Sequence, residues 1–300
     1  MNVSVIICSY NPTLHLSYAL DSLLSQSKDI YQIVVVIDND NYSDYAKTML
    51  DKYQNSFNLL TIHVQVNSGR AAARNTGVKL SEGDLFLFLD DDMIAEDDLV
   101  EKHLAYHVSN PGSIIIGNGF RNPVYARDDF SKYLIELERS WTSDAEVSLK
   151  VDFKNFIFTA CNMSVSNNLF ARLNGFDEKL KDGEDFDFGV RAIKEGINII
   201  YDRALLAWHN DWPDIKSFIS RQNEYYRGKT ELFRIHPEYL EYFPHMLQQK
   251  IPMIKRIIYK LINAPGMWIV TYGSTIFSYL PASTKFKTYN LVVASGTTQL

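Results

Sequence analysis

The sequence predicts an α/β protein, with a mostly parallel sheet flanked by helices and a helical C-terminal extension. Three observations predict it. Strand-like and helix-like segments alternate through the first hundred residues. A polar cluster directly follows each strand-like run. The chain beyond Trp212-Pro213-Asp214 is mainly helical in pattern. The strand-like runs are 3–8, Gln32–Ile37, 59–66 and 85–89, all apolar and rich in β-branched or aromatic residues. Between them, 14–24, 43–53 and 70–80 suit helices. Sheets of this kind bind ligands beyond the carboxyl ends of their strands. The expected site is therefore built from Ser9-Tyr10-Asn11, Asp38-Asn39-Asp40, Asn67-Ser68-Gly69 and Asp90-Asp91-Asp92.

The pattern then becomes mixed. A helix is expected at 96–108 and a strand at 113–116. An aromatic stretch at 153–158 leads into Ala160-Cys161-Asn162-Met163-Ser164. Asn174-Gly175-Phe176-Asp177-Glu178 reads as a turn, and Gly183-Glu184-Asp185-Phe186-Asp187 opens a helix running to about 195. Two strand-like pieces, 197–201 and 205–208, lead to His209.

Composition narrows the options without deciding among them. Three hundred residues with 46% hydrophobic and 22% charged side chains can bury a large globular core. Cys8 and Cys161 are the only cysteines and have no paired spacing, which argues against a disulfide framework or a zinc site and favours a reducing cytoplasm. No basic start or cleavage motif precedes Val3, so no signal peptide is expected. The net charge of −6 is unevenly spread. All 36 acidic residues lie at or before Glu241, against 24 basic ones there, whereas the tail carries Lys250, Lys255, Arg256, Lys260, Lys285 and Lys287 alone. An anionic surface is the expected partner of such a tail. The acidic body argues against nucleic acid.

The most chemically specific feature is the triplet closing Asp84-Leu-Phe-Leu-Phe-Leu-Asp90-Asp91-Asp92. On an extended backbone Asp90 and Asp92 point one way and Asp91 another. Two hard oxygen ligands at a strand's carboxyl end suit Mg²⁺ or Mn²⁺ carrying a phosphorylated ligand. An acidic turn capping the helix that starts near Ala95 would use the same residues, and the triplet alone leaves both readings open.

Six pieces in order decide the matter. They are Val3-Ser-Val-Ile-Ile-Cys-Ser-Tyr-Asn11, Val35-Val36-Ile37-Asp38-Asn39, Asn67-Ser-Gly-Arg-Ala-Ala-Ala-Arg74-Asn75-Thr-Gly77, Phe88-Leu-Asp90-Asp-Asp92, Asn174-Gly-Phe-Asp-Glu178 and Gly183-Glu-Asp185-Phe-Asp187. Together they resemble glycosyltransferases of family 2, with the Rossmann-like GT-A fold, over residues 3 to about 209. The resemblance implies a catalytic domain at 1–212, its nucleotide-binding half at 1–93 and its acceptor half at 94–212, followed by the extension at 213–300.

By the same resemblance Asp38 accepts a hydrogen bond from the base, most often uracil; Asp40 stands where the family usually has a small residue. Arg74 and Asn75 face the diphosphate, with Arg70 sharing that role or facing solvent. Ser9, Asn11, Asn67, Gly69 and Asn162 are further donor contacts. Asp92 binds the divalent cation, with Asp90 contacting ribose, the metal or its water, and His209 is a third ligand or a structural histidine. Asp185 is the base that deprotonates the acceptor hydroxyl, unless it serves only as a helix cap. Glu184 and Asp187 orient the acceptor.

The tail adds a separate expectation. Ile254, Ile257, Ile258, Leu261 and Ile262 share one helical face, with Lys255, Arg256 and Lys260 off it, as in helices that bind anionic membrane surfaces. Residues 249–287 would then lie at the inner face of the plasma membrane; the alternative is a helical lid. The stretch 267–280 is too short and polar to span a bilayer. The cations of 221–227 could close over the diphosphate or face solvent. The resulting expectation is a metal-dependent, inverting glycosyltransferase moving a sugar from a nucleotide donor, UDP-linked, to a glycan or lipid-linked acceptor. A sugar-phosphate nucleotidyltransferase would need a glycine-rich, lysine-bearing loop after the first strand, which Ser9-Tyr10-Asn11-Pro12 does not supply. A non-catalytic scaffold would have no need of intact Asp90, Asp92 and Asp185.

Overall fold

The structure, a computed structural model, describes residues 1–141, 148–246 and 279–297, together with 254, 257, 259, 261, 270 and 277. The expected membrane segment 249–287 therefore lies largely outside the described residues. The chain forms two compact units, Met1–Arg121 with Asp144–Asp211, and Asn122–Ser143 with Trp212–Leu300. The segment 122–143, which the sequence division assigns to the acceptor half, groups with the C-terminal unit.

The first unit opens with β1 (Val3–Ser9), α1 (Leu14–Leu24), β2 (Gln32–Ile37), α2 (Asp44–Asp51), β3 (Leu60–Val64), α3 (Arg70–Lys79) and β4 (Leu85–Asp90). These strands pair in parallel in the order β3-β2-β1-β4. The residues of β1, β2 and β4 are buried on both faces, as strands covered by helices on each side require, whereas the edge strand β3 is half-buried to exposed. Then follow β5 (Met93–Ala95), α4 (Leu99–Ser109), β6 (Ile114–Asn118), and, in the second unit, α5 (Asp129–Trp141). Back in the first unit come β7 (Ser148–Lys150), β8 (Asn162–Ser166), α6 (Asn167–Arg172), α7 (Glu184–Lys194) and β9 (Ile199–His209).

The sheet continues from β4 through β8, β6 and β9 to β5, with β7 also on β9. Strands β1 to β4, β6 and β9 run one way and β5, β7 and β8 the other, so the sheet is mostly parallel. One face packs on α1, α2 and α4 through Leu16, Leu20, Leu50 and Leu99. The other packs on α3, α6 and α7 through Ala71, Ala73, Phe170 and Phe188.

One local feature departs from the sequence expectation. The pieces 197–201 and 205–208 belong to the single strand β9. Between Ile116 and Asn118 on β6, the partner on β9 jumps from Tyr201 to Leu206, so β9 carries three extra residues at this step. Asp202 holds the bulge by accepting from Ala204 N (2.7 Å) and from the Tyr106 hydroxyl. The aromatic stretch 153–158 is irregular, and Phe156 and Phe158 pack on Phe186 and Phe188 of α7.

The second unit has its own core. Phe130, Tyr133 and Leu134 of α5, Phe218 and Ile219 of α8 (Ile215–Ile235), and Tyr289 and Val292 of α9 (Ala282–Thr297) share one cluster. Lys285 of α9, only 8% exposed, is compensated by Asp129, 2.6 Å away.

Candidate active site

The carboxyl ends of the central strands carry the expected polar clusters, and the structure gives each a specific place. Ser9 donates to Asp91, which takes that side chain away from Asp90 and Asp92. Burial pushes the Asp91 carboxyl up to about 7, and Asp92 and Asp90 add to the rise against the Ser9 hydrogen bond. Asn11 accepts from Asn39 Nδ2 at 2.8 Å, joining the loops after β1 and β2. Asp38 is 6% exposed. Its Oδ1 accepts from Gln65 Nε2 and Ser68 N, and its Oδ2 from Gly69 N, at 2.8–2.9 Å. Asp38 thus organises the loop that starts α3, with one lone-pair direction of Oδ2 left over. Asn67 is exposed in that loop.

Arg74 is 7% exposed, and both terminal nitrogens of its guanidinium meet carboxylates. Nη2 donates to Asp90 Oδ1 at 2.9 Å and Nη1 to Glu184 Oε1. Two of the five guanidinium N–H donors are thereby used within the protein. Burial alone would lower its pKa, but Asp90 and Glu184 outweigh that and hold it raised. Burial likewise opposes ionisation of Asp90, yet Arg74, His209 and Arg70 together keep its carboxyl below the usual range. Arg70 lies 3.6 Å from Asp182.

Asn75 is also occupied. Its Nδ2 donates to Phe176 O and Glu178 Oε1, both at 2.9 Å, and its Oδ1 accepts from Phe176 N at 3.0 Å. It fixes the Asn174-Gly175-Phe176 turn instead of offering its amide to a ligand. Asn162, with no exposed surface, donates to Asn118 O and Leu205 O and faces His103. Asp187 is 1% exposed and pairs with Arg191, which also donates to Leu173 O and Gly175 O. Asn162 and Asp187 are buried and Asn75 is half-buried, and each has its polar atoms engaged within the protein.

Asp185 occupies the first turn of α7. Gly183, at φ +81°, takes the left-handed conformation that a side chain would disfavour and turns the chain into that helix. The carboxylate accepts from Phe186 N at 2.7 Å. Burial, and then the negative charge of Glu184, push it up to about 7 against the pull of Arg74. Glu184 is 2% exposed, and its Oε2 has no hydrogen-bond partner among the described residues. The geometry thus places a poorly solvated carboxyl beside an arginine-held one, the setting that tunes a general base toward neutral pH.

Asp90, Asp92 and His209 each offer a ligand atom, all within 4.8 Å of one another. Pairing of β5 with β9 sets Met93 opposite His209, and Asn210 N donates to Asp92 O at 2.8 Å. His209 Nδ1 meets the Gly119 carbonyl. A carbonyl only accepts, so Nδ1 carries the proton, and in the neutral ring Nε2 turns its lone pair toward Asp92 Oδ1, 3.8 Å away. Two lone-pair-bearing atoms facing each other beside a second carboxylate fit a divalent cation. Two oxygens and one imidazole nitrogen are a donor set that Mn²⁺ or Mg²⁺ accepts. Burial keeps Asp92 raised, with His209 opposing it.

A polar network beneath this site escaped the sequence reading. His103 and His107 of α4 both contact Ser164 Oγ, at 2.7 and 2.8 Å, and are buried. Burial lowers them to about 3 and about 4, so both are neutral. The signal was two histidines four apart on the apolar face of a helix.

A GT-A-type sheet with these carboxylates at its strand ends is the architecture of glycosyltransferases. The family model "Glycosyl transferase family 2" matches residues 4–173, more than half of the chain, and the protein belongs to that family. It is a glycosyltransferase, which sets aside the nucleotidyltransferase and scaffold readings. It is 28% identical over 259 residues to "Uncharacterized glycosyltransferase YfnE" of Bacillus subtilis, covering 71% of this chain and 66% of that protein. It is 31% identical over 121 residues to "Poly(ribitol-phosphate) beta-glucosyltransferase" of Bacillus spizizenii, covering 39% of this chain and 19% of that one. The crystal structure of S. aureus TarS 1-349 in complex with UDP-GlcNAc matches with a TM-score of 0.53 at 17% identity, covering 99% of this chain and 90% of the other.

Proposed function

We propose that the protein is an inverting, divalent-cation-dependent glycosyltransferase that moves a sugar from a UDP-sugar to a glycan or lipid-linked glycan in polysaccharide assembly. The observation carrying this reading is the convergence of Asp90, Asp92 and His209 at the strand ends. The relatives' names support the donor and polysaccharide classes.

In this reading Asp92, Asp90 and His209 hold Mn²⁺ or Mg²⁺. A cation held there would supply Lewis-acid stabilisation of the negative charge on the leaving group. Asp185 takes the proton of the acceptor hydroxyl as that oxygen bonds to the anomeric carbon. The bond from that carbon to the diphosphate breaks in the same displacement, its electron pair leaving with the diphosphate oxygen. One base suffices for a single inversion. Arg74 holds Asp90 and Glu184 in place and keeps the Asp90 carboxylate charged near the reaction. Asp38, Ser9, Asn11, Asn67 and Gly69 frame the nucleotide.

The test is incubation with Mn²⁺ and a panel of nucleotide sugars with candidate acceptors, reading nucleoside diphosphate release and thermal shift. UDP-sugars should bind and turn over; absence of both with every donor would sink the reading.

The same reading takes the protein to the cytoplasmic face of a membrane through its tail. Ile254, Ile257 and Leu261 are 74%, 51% and 69% exposed, in a sequence stretch also carrying Lys255, Arg256 and Lys260. Such residues suit peripheral contact with anionic lipid. Among the described residues no helix is long and apolar enough to cross a membrane.

A further inference from the structure

The buried network below the strand ends is polarised, and its direction can be read from its far end. Asn162 Nδ2 faces two carbonyls, Asn118 O and Leu205 O, both at 3.0 Å. Carbonyls only accept, so the amide nitrogen must lie there and Oδ1 must face His103 Nε2, 3.0 Å away. His103 therefore carries its proton on Nε2 and accepts from the Ser164 hydroxyl at Nδ1. Ser164 in turn accepts from His107 Nε2 at 2.8 Å. Every donor in the chain points toward Asn162, an arrangement in which each hydrogen bond strengthens the next.

The end of that chain lies where β6 and β9 fall out of step. Asn162 clamps one carbonyl from each strand where the bulge ends and pairing resumes at Asn118 and Leu206, and a Cβ on Gly117 would come within 2.3 Å of its Nδ2, so only glycine admits the amide. Just beyond the clamp, β6 runs on beside the end of β9. His209 N donates to Phe120 O at 3.0 Å, Arg121 forms an isolated bridge with His209, and the Gly119 carbonyl receives His209 Nδ1.

We propose that His103 and Asn162 are positioning residues for the metal-facing histidine. They fix the bulged β6–β9 step, which places the Gly119 carbonyl against His209 Nδ1 and leaves Nε2 directed at Asp92. The inference rests on the metal-site reading of the preceding section and assigns a task to residues that touch neither ligand nor metal. Such outer partners of a ligating histidine fix its ring and tautomer.

The test uses the intact protein and Mn²⁺ alone, with affinity followed by electron paramagnetic resonance and folding by urea denaturation. His103→Leu and Asn162→Asp should each weaken Mn²⁺ binding about 10–100-fold. His103→Gln, whose amide can still donate to Asn162 Oδ1, should restore near-native affinity. Histidine-selective ¹⁵N spectra of the metal-free wild type should show His103 protonated at Nε2 and His209 at Nδ1. Folded His103→Leu and Asn162→Asp proteins that bind Mn²⁺ normally would overturn the proposal. So would a folded His103→Gln protein as weak as His103→Leu, or the opposite tautomer in the wild type at either histidine, a measurement needing no variant. His209→Ala separates the two readings. Unchanged Mn²⁺ affinity there refutes the metal site itself, whereas weakening there with none in the His103 and Asn162 variants refutes only their positioning role.

Discussion

Arg74 Nη2 lies 2.9 Å from Asp90 Oδ1, and the same guanidinium holds Glu184 through Nη1. One cation therefore ties the end of β4 to the start of α7, fixing the carboxylate proposed for the metal relative to the helix turn that bears Asp185.

Removing that cation should cost stability as well as activity. Arg74→Ala leaves a nearly inaccessible Glu184 and a partly buried Asp90 uncompensated, and breaking a buried pair in this way costs roughly 3–5 kcal/mol. Urea denaturation would read the loss. Arg74→Lys cannot span both carboxylates and should recover only part of it.

Asp185→Asn should abolish transfer, leave donor binding nearly intact, and stabilise the metal-free protein above neutral pH. The folded carboxyl keeps its proton up to about pH 7, against an ordinary value of 3.8. The folded state then holds more protons than the unfolded one between those values, so wild-type stability falls as pH rises through the window. The variant should gain on the order of 1 kcal/mol or more at pH 8, fading toward pH 4. Thermal melts across that range give the sign. Wild-type turnover should rise through pH 7 as Asp185 ionises.

Chelation should stop turnover, and Mn²⁺ should restore it. Asp92→Asn and His209→Ala should each weaken Mn²⁺ binding by at least tenfold with little change in urea midpoint, since neither side chain is fully buried. Calorimetric titration would measure this.

Asn75→Ala would strip the turn at Phe176 of its side-chain partners, at a cost of about 1–3 kcal/mol for the unsatisfied backbone groups. Activity per folded molecule should fall less than stability. A loss of UDP-sugar affinity with unchanged stability would restore the amide to the donor site.

Deleting residues 249–300 should release the protein from anionic liposomes in a sedimentation assay. Equal sedimentation with and without the tail would refute membrane contact.

Periodicity and strand-end chemistry made the first half of the fold legible. β1, β2 and β4 are continuous apolar runs because both their faces are covered, and each ends in a polar cluster. β8 was harder to see because its residues, Asn162-Met163-Ser164-Val165-Ser166, turn polar groups toward buried histidines, which hides the usual apolar signature. The bulge in β9 split one strand into two in the sequence. At the site, the acidic triplet marked the strand end where Asp90 and Asp92 meet His209. The ordered motifs did not reveal which polar residues support the site from within. Arg74 and Asn75 belong to a matching motif, yet their partners Glu184 and Glu178 lie 110 and 103 residues away, a distance no local pattern encodes.

The Asn75 contact carries a practical consequence for anyone recombining this enzyme with its relatives. The α3 helix and the Asn174-Gly175-Phe176 turn are one mechanical part delivered in two lengths of chain, joined by an amide that reads backbone on the other piece. A chimera whose crossover falls between them inherits half of a latch. Crossovers should therefore fall before Arg70 or after Glu178, so that both lengths come from the same parent.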